Sequence, residues 1–162
     1  MNYHNITKDD MLNGDGLRVV LWVAGCSHHC KGCHNPQTWD ENSGIEFDEN
    51  AKQEIFCELE KDYISGITFS GGDPLMCKNR ETIGNFIEEI KEKFPTKTIW
   101  LYTGFLFDEI KNLPFVKHID VICDGKFELK NREITAHWVG STNQRVIDVK
   151  KSLEQNKIIL HN

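Results

Sequence analysis

No apolar run in this chain approaches the roughly 20 residues that an α-helix needs to cross a bilayer. No basic run of the kind that tracks a phosphate backbone is present either. Asp and Glu number 25 against 19 Lys and Arg, a formal net charge of −6, so nucleic acid is a disfavoured partner. The start, Met1-Asn2-Tyr3-His4-Asn5, lacks the basic region and apolar stretch of a secretory leader. The expected location is therefore the cytoplasm, with no membrane involved. Neither an internal repeat nor a linker divides the 162 residues, so a single domain over 1–162 is expected. Apolar residues at 39% and charged residues at 27% suit a globular chain with a real core rather than a disordered one.

Cysteine is present, and its placement carries the chemistry. In a reducing compartment clustered thiols mean metal or catalysis rather than disulfides. Cys26, Cys30 and Cys33 stand in a C-x3-C-x2-C run inside Gly25 to Pro36, just after the apolar run Leu17 to Ala24. A strand fixes one end of such a loop and lets the rest wrap a bound metal. Thiolates select soft metals, chiefly iron–sulfur clusters and zinc. A closed zinc site takes four protein ligands; here His28, His29 or His34 is available as the fourth. Three thiolates on a four-iron cluster would instead leave one iron open to a ligand that is not protein. Cys57, Cys77 and Cys123 are widely spaced and read as small apolar side chains rather than a second cluster.

The remaining pattern alternates strand and helix. Tyr3 to Thr7 is a short edge strand, followed by a turn at Asn13-Gly14-Asp15-Gly16. Leu17 to Ala24 is a strand buried on both faces, with Arg18 at its solvated end. Asp48 caps a helix over Glu49 to Leu59, whose Ala51, Ile55 and Leu59 share one face. Ile64 to Ser70, Thr98 to Tyr102, His118 to Cys123, Arg145 to Ile147 and Ile158 to Leu160 are strands. Asn79 to Phe94, Phe105 to Asn112 and Asp148 to Gln155 are helices, and Phe127 to Ser141 is loop. Alternation of this kind predicts a parallel sheet with right-handed crossovers. The length allows about five βα units rather than the eight of a full barrel, so an incomplete parallel β/α barrel, open on one side, is expected. Trp39, Trp100 and Trp138 read as core or partner surface. Asn143-Gln144-Arg145 either lines the open side or caps the last units.

The cysteine run, followed by Ser70-Gly71-Gly72-Asp73-Pro74 after a strand, resembles the radical S-adenosylmethionine (SAM) superfamily. Asp73 stands where that superfamily usually has Glu, one methylene longer. Further stretches stand in one compact order: Asn13 to Arg18, Gly25 to Pro36 with Trp39, Trp100 to Gly104, Asp120 to Gly125 and Ser141 to Val146. Together they resemble the activating proteins of anaerobic ribonucleoside-triphosphate reductase, over nearly the whole chain to Val146. The resemblance implies an oxidoreductase in which Cys26, Cys30 and Cys33 hold a [4Fe-4S] cluster. It implies SAM contacts from Gly71, Gly72 and Asp73 and from the backbone of Gly32, Cys33 and His34. The implied partners are the large subunit of the reductase, which receives a glycyl radical, and an electron donor such as a flavodoxin-type protein. No general acid or base is required. The alternatives are an activase of another glycyl-radical enzyme, or a zinc-binding interaction module.

Overall fold

The computed structural model describes residues 1–162. Its elements are β1 (Asn2–Asp10), β2 (Leu17–Val23), β3 (Ile45–Glu46), α1 (Glu49–Leu59), β4 (Ile64–Gly71), α2 (Arg80–Lys93), β5 (Thr98–Tyr102), α3 (Phe107–Ile110), β6 (Val121–Asp124), β7 (Arg145–Asp148) and α4 (Val149–Gln155). The strands form one sheet in the order β3-β1-β2-β4-β5-β6-β7. β2, β4, β5 and β6 are mutually parallel.

The sheet is mixed, which corrects the all-parallel expectation. β1 pairs antiparallel with β2, and β7 antiparallel with β6. The physical reason lies in the connections. Parallel neighbours need a crossover of a dozen or more residues, usually a helix, and only the loop 11–16 joins β1 to β2. The segment 125–144 is longer, but it contains no α-helix and stays at the end of the sheet where β6 finishes. β7 therefore starts from that same end and runs back. The strand expected over Ile158 to Leu160 is reduced to one bridge, Ile147 to Leu160.

Two helices build most of the core. Asp48 caps α1, its side chain accepting from Ala51 N at 2.9 Å, and Ala51, Ile55, Phe56 and Leu59 are buried. In α2 the stripe Ile83, Phe86, Ile87 and Ile90 is buried. Phe86 gathers Phe47, Phe56 and Phe69 at centroid distances of 5.2, 5.6 and 6.1 Å, within the range of favourable aromatic pairs. Cys123 is buried as expected, whereas Cys57 and Cys77 are exposed, contrary to their reading as small buried side chains.

Arg18 also departs from expectation. It is fully buried rather than at a solvated strand end. Its Nε donates to Thr68 Oγ1 and its Nη atoms to Asp15 O, Thr98 Oγ1, Ile67 O and Thr98 O, all at 2.8–2.9 Å. Its Cζ lies 5.6 Å from the Trp100 ring centroid. Burial lowers its pKa to about 10, so it stays charged at neutral pH. The guanidinium plugs the amino-terminal end of the parallel strands, and the opposite end carries the loops.

Candidate functional site

The parallel strands finish at one edge of the sheet, and the loops that follow them surround a cavity of about 370 Å³. Cys26, Cys30, Cys33, His34, Gly71, Gly72 and Asp73 all line it. Gly32 does not; it packs against Leu129 and Phe127 instead. The structure thus brings together every candidate ligand and binding residue except Gly32.

Local geometry explains how two distant stretches meet. Gly72 N donates to Val23 O at 2.9 Å, and Asp73 N to Gly25 O at 2.7 Å. The chain at Gly71 has φ of +103°, and a Cβ on Gly72 would lie 2.5 Å from Gly25 O. Only glycine permits both the conformation and the approach. Asn79 Nδ2 adds donations to Ala24 O and Asp73 O. The Gly-Gly-Asp-Pro turn is therefore tied to the backbone immediately before Cys26.

Backbone amides near the sulfurs offset part of the cost of burying them. Burial pushes the Cys26 thiol up, and the amides of His28 and His29 oppose this by favouring the thiolate. His29 reaches that position with φ of 49°, its ring stacked on Trp39 at 4.6 Å. The Cys30 thiol is likewise raised by burial and lowered by the Phe127 amide and by the charge of Lys126. Cys33 Sγ accepts from Asn35 N at 3.3 Å. All six cysteines are free thiols. No three His, Cys, Asp or Glu side chains gather tightly enough to hold one ion; the thiols are spread around a cavity. His28, His29 and His34 are turned to other partners, respectively Asp73, Trp39 and Phe127. Three thiolate donors with nearby amides fit an iron–sulfur group.

Of the other residues around the cavity, Phe127 was not indicated by the sequence as a site residue, and Thr103, Gly104 and Gln144 were indicated without their partners. Thr103 and Gly104 donate to Asp73. Phe127 and Gln144 line the cavity, and Gln144 holds the wall by accepting from Gly140 N and donating to Gly125 O. Of Asn143-Gln144-Arg145, then, Gln144 lines the cavity and Arg145 pairs with Asp124. At the floor the Tyr102 hydroxyl is buried without a hydrogen-bond partner. Beside it, burial pushes the Cys123 thiol up to about 12. Turn signals after strands pointed to Thr103-Gly104 and to Gly125, but nothing local indicated their partners.

Known proteins resemble this chain in sequence over 89–90% of its length. A family model described as a 4Fe-4S single cluster domain matches residues 12–147. The anaerobic ribonucleoside-triphosphate reductase-activating protein of Enterobacteria phage T4 is 49% identical over 146 residues, covering 90% of this chain and 93% of the relative. The protein of the same name from Haemophilus influenzae is 40% identical over 148 residues, with 89% and 96% covered. That of Escherichia coli K12 is 39% identical over 150 residues, with 90% and 97% covered. The matched span contains the cysteine loop, the Gly-Gly turn and the wall at Gln144, and the chain belongs to the family of anaerobic ribonucleoside-triphosphate reductase-activating proteins.

Proposed function

We propose that this chain is the iron–sulfur activase of an anaerobic ribonucleoside-triphosphate reductase, with Cys26, Cys30 and Cys33 as the three cluster ligands and SAM as the ligand of the open iron. The observation that carries the reading is the shared cavity. Three thiols and a Gly-Gly turn line one space, and of the nearby histidines His28 is bonded to Asp73 and His29 is stacked on Trp39. Cys26, Cys30 and Cys33 would hold the cluster, which would supply one-electron reduction of SAM, drawing on an external donor such as a flavodoxin-type protein, so that a glycine Cα of the reductase could lose a hydrogen atom.

The chain's own residues bind and orient. Amides of His28, His29, Phe127 and Asn35 stabilise sulfur charge. Gly71 and Gly72 let the backbone come close to the methionine end of SAM, joined by Cys33 and His34 from the cysteine loop. Gly125, Phe127, Gly140 and Gln144 of the 125–144 segment form one wall of the cavity. A site closed by loops at one sheet edge, with β3 and β7 unpaired to each other, supports an incomplete β/α barrel of the radical SAM type. Such an open side suits a glycine presented by a macromolecule. We read 1–162 as one domain working in the cytoplasm.

Anaerobic reconstitution with iron and sulfide tests the reading. The expected result is a brown protein with four irons per chain. With dithionite and SAM it should form 5′-deoxyadenosine, and with the reductase a glycyl-radical EPR signal. Cys30→Ala should abolish all three. A colourless protein that takes up zinc and yields no 5′-deoxyadenosine would overturn it.

A further inference from the structure

The carboxylate of Asp73 is already fully used. It is 1% exposed. Oδ1 accepts from Leu75 N at 2.8 Å and Thr103 Oγ1 at 2.9 Å; Oδ2 accepts from Gly104 N at 2.9 Å and lies 2.7 Å from His28 Nε2. A carboxylate offers about four acceptor sites, and four donors occupy them. Because an ionised carboxylate has no proton to give, His28 Nε2 is the donor. The His28 side chain is 7% exposed. Its ring meets the edge of Phe105 at 4.7 Å. Gly104 makes room for it: a Cβ there would lie 2.4 Å from His28 Cδ2. His28 stands two residues after Cys26, and its backbone amide favours the Cys26 thiolate. His28 thus belongs to the cysteine loop through its main chain and reaches the Gly-Gly-Asp-Pro turn with its side chain.

We infer that His28 and Asp73 form a buried latch that fixes the cysteine loop against the Gly71-Gly72 turn, with His28 a positioning residue and Asp73 acting on the protein rather than on SAM. The inference rests on the proposed cluster and SAM site and adds to it a division of roles. The latch spans 45 residues of sequence and joins the ends of β2, β4 and β5. It sets the spacing between the sulfurs and the turn that receives SAM. The shorter side chain of Asp73 fits this: it reaches Thr103 and Gly104, and it has no acceptor site left for an ammonium group.

The test uses reconstituted full-length protein under anaerobic conditions. Two quantities are measured: the rate of iron loss to a chelator, and the SAM dissociation constant from the change in the EPR signal of the reduced cluster. Loss of a buried, charge-assisted hydrogen bond predicts about a tenfold change in each for His28→Phe and for Asp73→Asn. The double variant should be no worse than either single, because both remove one interaction. His28→Gln, which keeps a donor at the position of Nε2, should recover most of the loss. A ring that only fills space predicts the reverse, with Phe tolerated and Gln not; that result overturns the latch. Wild-type behaviour of His28→Phe beside weakened SAM binding in Asp73→Asn also overturns it, by showing that Asp73 meets SAM directly. Should Asp73→Asn fail to fold, the Phe and Gln variants of His28 decide alone. A wild-type protein that holds no four-iron cluster sinks the underlying reading before any variant is compared.

Discussion

At one end of the parallel strands a cation is buried, and at the other an anion. Arg18 and Asp73 are both withdrawn from water, and both are matched by hydrogen bonds rather than by a simple ion pair. The acceptors around Arg18 come from the middle of β4, the start of β5 and the loop just before β2 (Ile67 and Thr68, Thr98, Asp15), so the plug is part of the sheet. The donors around Asp73 come from loops that follow β2, β4 and β5. The same requirement, that a buried charge be fully hydrogen-bonded, gives a rigid floor at one end. At the other it gives a junction between loops that line the cavity. Structural and functional burden are thereby separated along one strand direction.

That separation is broken most severely at the floor. Arg18→Ala removes the donors serving four residues and opens a void beneath Trp100. Unsatisfied buried acceptors cost about 1–3 kcal/mol each, so the loss should be ~3 kcal/mol or more in urea denaturation of the cluster-free protein. Arg18→Met should lose less, because an apolar side chain of similar volume can replace a buried charge. In the fraction that folds, SAM affinity should match wild type. A loss below about 1 kcal/mol for Arg18→Ala would mean that the floor does not depend on its plug.

The upper end offers a finer cut. Asp124, fully buried at the end of β6, accepts from Phe107 N at 2.8 Å and from Arg145 Nε and Nη2 at 3.0 and 2.6 Å. This carboxylate anchors the start of β7 and not the cysteine loop. Asp124→Asn should therefore destabilise the apoprotein by about 2 kcal/mol while leaving the rate of iron loss to a chelator near wild type. Faster iron loss would show that the two buried carboxylates are not independent.

The legible parts of this molecule are those whose cause is local. Asp48 and the Ala51, Ile55, Leu59 spacing gave α1 with its observed bounds, because a cap and a periodic face lie within one stretch. The cysteine loop and the Gly-Gly-Asp-Pro turn were found for the same reason, and their common cavity follows from both succeeding parallel strands. Strand direction was not local: β1 and β7 turn antiparallel because of what their connections lack. Arg18 was misplaced because a lone charge at a strand start reads as solvated, while its acceptors on β4 and β5 lie 49 to 80 residues away. His28 reads in the sequence as one possible fourth zinc ligand, because its actual partner, Asp73, lies 45 residues away.

The smallest expected effect tests how far the floor extends. Outside the plug, His161 Nε2 lies 2.6 Å from Asp15 Oδ2, and its ring meets the edge of Trp100 at 5.2 Å. Asp15 also supplies the carbonyl that receives Arg18 Nη1, so the tail touches both the residue and the ring that hold the plug. Yet the Asp15 side chain is 58% exposed, and an ion pair in such a setting contributes about 0–1 kcal/mol. His161→Ala should accordingly cost less than about 1 kcal/mol in urea denaturation, and combined with Arg18→Met it should be additive within a few tenths. A larger loss, or clear non-additivity, would make the carboxyl-terminal tail part of the floor. The rigid end of the molecule would then also depend on long-range contacts, and the contrast with the loop-built end would narrow.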